Sequence, residues 1–205
     1  MKKLIAALTA ILLSACTAFG IRSSKEPNYR VLHDAGPFQI RHYPSLVVAQ
    51  TEVNADYKNA SGVAFKRLAG YIFGNNKKQQ ALAMTVPVIQ EQQAERLSMT
   101  APVMQQKSGE VWVMTFVLPQ DYSLSTAPVP LDTSVLIQEI TDKKVAAIRY
   151  TGSLTEQGIE EKSAELTDWL IQRHYKAISP PRSAAYDPPW TLPFLRRNEV
   201  HIDIE

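Results

Sequence analysis

Four histidines, His33, His42, His174 and His201, and a single cysteine, Cys16, are the side chains here best suited to nucleophilic, acid–base or metal-ligating chemistry. Their surroundings in sequence restrict what that chemistry can be. There is no Gly-x-Ser-x-Gly elbow, no metal-spaced set of histidines and carboxylates, and no Cys-x-x-Cys-His for covalent haem attachment. Glu160, Glu161, Glu165 and Asp168 fall in a helical pattern and read as a solvated face. Nothing in the chain points to an enzyme.

Cys16 has a different use. Lys2 and Lys3 lead an apolar run from Leu4 to Leu13 that ends in Leu13-Ser14-Ala15-Cys16. A positive start, a short apolar core and small residues at a cleavage point make a secretory signal peptide. The run is shorter than the about 20 apolar residues a spanning helix needs. Leu-Ser-Ala-Cys resembles a bacterial lipobox, in which the cysteine becomes the first mature residue and carries lipid. Several acyl chains anchor a protein stably where one binds only marginally. Thr17, in place of the Asp usual at the inner membrane, favours an outer-membrane anchor facing the periplasm. Residues 1–15 are thus expected to be a signal peptide, 16–26 a lipidated tether and 27–205 one domain.

Composition suits one globular domain: 45% of the 205 residues are hydrophobic and 20% charged. Net charge is only +2, and Lys and Arg are interspersed with acids. A nucleic-acid binder concentrates basic charge on a face or stripe, so that class is not expected.

Alternating runs at 29–33 and 38–43, separated by Asp34-Ala35-Gly36-Pro37, predict a hairpin, and residues 46–53 a third strand. Phe65, Leu68, Ala69, Ile72 and Phe73 form one apolar stripe at helical spacing, stopped by Gly74 and Asn75. Met84-Thr85-Val86-Pro87-Val88 is echoed 15 residues later by Met99-Thr100-Ala101-Pro102-Val103. Residues 112–118 are a strand, and 135–140 and 145–150 two more. A second helix carries Ile159, Ser163, Leu166, Trp169 and Leu170, and 200–204 is a last strand. The order of elements in the first half recurs in the second, which predicts an α+β domain of two similar halves.

Several of these segments together resemble the SOUL haem-binding protein family. Phe38-Gln39-Ile40-Arg41-His42-Tyr43 matches its opening strand motif, and Tyr71-Ile72-Phe73-Gly74-Asn75-Asn76 its helix ending. Both Met-Thr-x-Pro-Val segments match its signature, and Ala185-Tyr186-Asp187-Pro188-Pro189-Trp190 and Arg196-Arg197-Asn198-Glu199-Val200 match its C-terminal region. The resemblance implies a distorted antiparallel β-barrel of about eight strands flanked by two α-helices, in two pseudo-symmetric halves. It also implies non-covalent binding of haem or another porphyrin.

A haem site needs an apolar slot, groups for the propionates and often an axial histidine. His42, within the opening motif, is the candidate for the iron; the plainer alternative is a half-exposed strand histidine beside Tyr43. His33 and His174 read as surface residues. His201 alternates with Val200 and Ile202 and is expected to be exposed. Met84, Met99, Met104 and Met114 read as adaptable core fillers. The resemblance also points to the first helix, where Phe65 and Leu68 would be the wall and Lys66 and Arg67 would meet the propionates. For Phe65 and Leu68 the competing reading, an amphipathic stripe packed on the barrel, is preferred. Arg196 and Arg197 either bind an anion or pair with Glu199 and Asp187.

The leading expectation is a lipoprotein of the bacterial envelope that carries or buffers a tetrapyrrole. The alternative is an envelope interaction lipoprotein that uses the same barrel with no cofactor.

Overall fold

A computed structural model describes residues 24–79 and 94–205. The lipobox cysteine Cys16 and the Met84–Val88 motif lie outside them.

The two halves each contribute one long strand, one helix and two shorter strands. In the first half these are β2 (Phe38–Val53), α1 (Tyr57–Ile72), β4 (Val103–Ser108) and β5 (Val111–Val117). In the second they are β7 (Val135–Tyr150), α2 (Glu156–Gln172), β8 (Arg182–Ala185) and β9 (Asn198–Ile204). Six strands close a barrel in the order β2-β5-β4-β8-β9-β7, with β7 returning to β2 and every pairing antiparallel. The threefold groups β2-β5-β4 and β7-β9-β8 correspond, so the internal symmetry read from the element order is present in the topology. β1 (Arg30–Ala35) adds to the first half of β2, and β3 (Asn76–Lys77) pairs with β6 (Val129–Pro130) apart from the barrel. The barrel thus closes with six strands where about eight were expected, and three further strands, β1, β3 and β6, complete the nine among the described residues.

Two pairs of expected strands are single ones. Pro44 lacks a donor and interrupts the apolar alternation, which suggested a turn. Its fixed φ nevertheless suits extended backbone, and β2 runs straight through it. Polar Thr141-Asp142-Lys143-Lys144 gave the same false break in β7. The two 16-residue strands pair along most of their length, with Tyr43 opposite Lys143 and Ser45 opposite Thr141. Between those pairs stand Pro44, which has no N–H to donate, and Asp142, at φ +50°, so the ladder is locally weakened there.

Each helix covers one outer face of the barrel. Asp56 caps α1 by accepting from the Asn59 N–H at 3.1 Å, and Thr155 caps α2 by accepting from the Gly158 N–H at 3.1 Å. α1 buries Ala60, Ala64, Leu68, Tyr71 and Ile72 over β2 and β5. Its buried face is rotated from the expected stripe: Phe65 and Phe73 are 45% and 59% exposed. Alanines at 60 and 64 let the helix approach the sheet closely, and the larger rings move to its margin. α2 packs Leu166, Trp169 and Leu170 against Ile40, Ile148 and Ile202. A third cluster, with Val48, Met104, Val117 and Ala184, fills one part of the barrel interior.

Candidate functional site

Because helices cover its outside, this barrel has two buried faces. Along β9, Val200, Ile202 and Ile204 pack under α2, and the intervening Glu199, His201 and Asp203 alternate to the interior. His201 is thus fully buried, at 2% exposure, contrary to the exposed position its alternation suggested. The alternation itself is correct; the face opposite the apolar one is simply the inside of a barrel.

Glu199, with no exposed side-chain surface, organises the interior. Arg41 grips it bidentately, Nη1 to Oε2 at 2.6 Å and Nη2 to Oε1 at 2.9 Å. Arg197 donates from Nε at 2.9 Å, the Tyr186 hydroxyl at 2.8 Å, and His201 Nε2 lies 2.7 Å away. Gln39 accepts from the Arg41 Nε at 2.9 Å, and Glu26 accepts from Arg197 Nη1 at 2.8 Å, tying the N-terminal segment to the barrel. Arg197 therefore pairs with Glu199, and its backbone N–H donates to Asp187. Arg196 donates instead to the carbonyls of Thr191 and Pro189.

This cluster looks like catalytic machinery but is internally satisfied. Desolvation pushes the Glu199 carboxyl upward, yet hydrogen bonds from His201 and Arg41 hold it well below the usual carboxylate range. Burial lowers the His201 imidazole to about 4 from 6.5, against the upward pull of Glu199. The imidazole is then neutral at pH 7, so Arg41 and Arg197 supply the ionic share of the contact. Burial also raises the Tyr186 hydroxyl well above its ordinary value. The sign of the acid response follows. Below pH 6.5 the unfolded imidazole takes a proton that the folded one refuses, so its stabilisation, complete above 6.5, is lost as pH falls towards 4. Glu199 adds a second loss below its ordinary range of about 4. Stability should fall through both windows, read as a melting temperature that drops with pH. His201→Gln should flatten the first limb; an unchanged profile would contradict the burial of a neutral histidine.

His42 occupies a different place. It faces the outside of β2 beside Pro44, its side chain 22% exposed, with Nε2 2.7 Å from the carboxylate of Asp142. It lines a shallow concavity of about 380 Å³ with Asn28, Tyr29, Arg30 and Pro44. The Tyr29 ring is backed by Tyr43, centroids 5.2 Å apart, and by the Arg41 guanidinium at 4.7 Å. Asp142 orients the imidazole through Nε2 and leaves Nδ1 as its second ligating nitrogen. Asn28, Tyr29 and Arg30 went unremarked as site residues in the sequence; Pro44, next to the motif histidine, was the available signal.

No α1 residue lines that concavity. Phe65 stands over Phe116 edge-on at 5.6 Å, and Lys66 is exposed beside it. Arg67 is held down by the Glu52 carbonyl at 3.0 Å. Leu68, at 0% exposure, belongs to the core and offers no surface to a ligand. His33 is half-buried, 6.0 Å from the Trp169 ring, and His174 is exposed at the end of α2.

A closed six-stranded antiparallel barrel of two corresponding halves, with a helix on each, defines a class shared by several solved proteins. The EcmrR C-terminal domain is similar with a TM-score of 0.56 at 13% identity, over 86% of this chain and 98% of that one. A hydrolase from Listeria innocua is similar with a TM-score of 0.52 at 7% identity, over 85% and 94%. Both likenesses concern the fold alone. Within the class, the chain belongs to the SOUL heme-binding protein family, which it matches over residues 24–203. Human "Heme-binding protein 2" is 26% identical over 181 residues, 85% of this chain and 83% of the relative.

Proposed function

We propose that the protein binds haem or a related tetrapyrrole reversibly in the concavity at His42, as a carrier or buffer. The observation that carries this reading is the His42–Asp142 pair at the edge of a shallow surface lined by Tyr29 and Pro44. Family membership and the name of the human relative agree with it. His42 would hold the iron, Tyr29 and Pro44 would support the ring, and Arg30 would meet a propionate. The bound group would contribute only the iron's ligand affinity; no redox step is required of this chain. The barrel interior is a poorer alternative, since its one lining histidine, His201, is buried with Nε2 engaged by Glu199. Exposed Phe65 and Lys66 form a second candidate surface on α1.

His42→Ala should shift the Soret band and weaken haemin binding by more than the about 10- to 100-fold typical of losing a ligand's hydrogen-bonded partner. Asp142→Asn should weaken it less, and Phe65→Ala not at all. The reverse pattern would move the site to α1.

The same reading holds the protein at the bacterial outer membrane, facing the periplasm, by lipid on Cys16. Metabolic labelling with palmitate should mark the wild-type chain and not Cys16→Ser, which should leave the membrane fraction. Equal membrane retention of both would contradict the anchor. A cofactor-free envelope lipoprotein remains the outcome if haemin binding proves unsaturable.

A further inference from the structure

The barrel interior contains a second feature that the Glu199 cluster does not use. Its cavity, about 280 Å³, lies between the apolar side chains of Leu46, Val117 and Ile140 and a polar end at Lys143, Arg182 and Asp203. The charges there do not cancel. Asp203 alone accepts from Arg182 at 2.6 Å and faces Lys143 at 3.6 Å, so two cations share one carboxylate. The one histidine in the lining, His201, is neutral at pH 7. Gln50, Gln106 and Thr115 also line the cavity, and none has a side-chain hydrogen-bond partner among the described residues. Pro27, just after the Glu26–Arg197 ion pair, forms part of the wall, so the N-terminal segment helps to enclose the space.

The cavity lining thus carries one more cation than carboxylates, together with three polar side chains not engaged by the described residues, beside an apolar wall. From this arrangement we infer that the barrel cavity is a binding site for a small amphipathic anion. The ligand is a monocarboxylate with a short apolar tail. Arg182 and Lys143 take the carboxylate, Gln50, Gln106 and Thr115 supply the remaining hydrogen bonds, and the tail lies on Leu46, Val117 and Ile140. The site shares no lining residue with the His42 surface.

The test is a titration of the purified full-length chain with hexanoate, followed by amide chemical shifts, with hexylamine and hexanol as controls. Saturable shifts centred on Thr115, Lys143 and Arg182, absent with hexylamine and weaker with hexanol, are expected. Arg182→Gln should lower hexanoate affinity about tenfold and leave the haemin titration as in the wild type. Should that variant fold poorly, the wild-type shift map decides alone. Unmoved cavity amides at millimolar hexanoate, equal response to hexylamine, or stoichiometric displacement of hexanoate by haemin would each overturn the inference. Failure of haemin to bind at all would bear only on the His42 reading.

Discussion

Glu199→Ala should destabilise the protein by about 3–5 kcal/mol, the largest effect expected of any single substitution in the barrel interior. The reason is what the change leaves behind. Arg41, at 1% exposure, would remain charged inside the barrel with no carboxylate partner, and Arg197, at 8%, would keep only Glu26. The Tyr186 hydroxyl and His201 Nε2 would lose the same partner. Desolvated cations without a counter-ion are far more costly than the intact pair is favourable, so this figure measures orphaned charge and not the worth of the ion pair. Domains of this size are stable by about 5–15 kcal/mol, and the variant could lose most of that. Urea unfolding should show a much lower midpoint at similar slope. Glu199→Gln keeps the volume and one acceptor and should fall between the two. A midpoint for Glu199→Ala within experimental error of the wild type would mean that the cluster is hydrated and not buried as described.

Leu68→Ala should cost about 2–5 kcal/mol and leave haemin affinity of the folded protein unchanged. Leu68 sits at 0% exposure among Ala64, Tyr71, Ile72 and the outward side chains of β2 and β5. Truncation opens a void that the alanine-lined interface cannot close by moving the helix nearer, because Ala60 and Ala64 already set the closest approach. Its neighbour gives the internal control. Phe65→Ala removes a ring that is 45% exposed and should cost markedly less. Similar stability losses at both positions would contradict the rotated face of α1, and reduced haemin affinity in Leu68→Ala would return that residue to the ligand site.

The elements that the sequence displays clearly are those with one buried face. α2, with Leu166 and Leu170 a turn apart, is an example, and the continuous apolar run of β5 marked a strand although both its faces are packed. Errors concentrate where both faces are buried or where the ladder is weakened. His201 reads as outward because a polar residue alternating with Val and Ile usually is; only closure of the barrel turns its side inward. Arg41 in the opening motif and Glu199 in the closing one are 158 residues apart, so nothing local announces the bidentate pair between them. Pro44 and Asp142 imitate turns because each weakens the local ladder, yet the long pairing of β2 with β7 on either side keeps both strands continuous. β8 has only four residues, Arg-Ser-Ala-Ala, and no apolar alternation to reveal it. Among the candidate ligand residues, His42 was identifiable from its motif, whereas its partner Asp142 lies 100 residues away.

The most direct measurement is a titration of the purified full-length chain with haemin, followed at the Soret band alongside His42→Ala. Saturation at one equivalent with submicromolar affinity, and a spectrum altered by the substitution, is the predicted result. Weak, unsaturable binding that is the same in both proteins would contradict tetrapyrrole binding at His42.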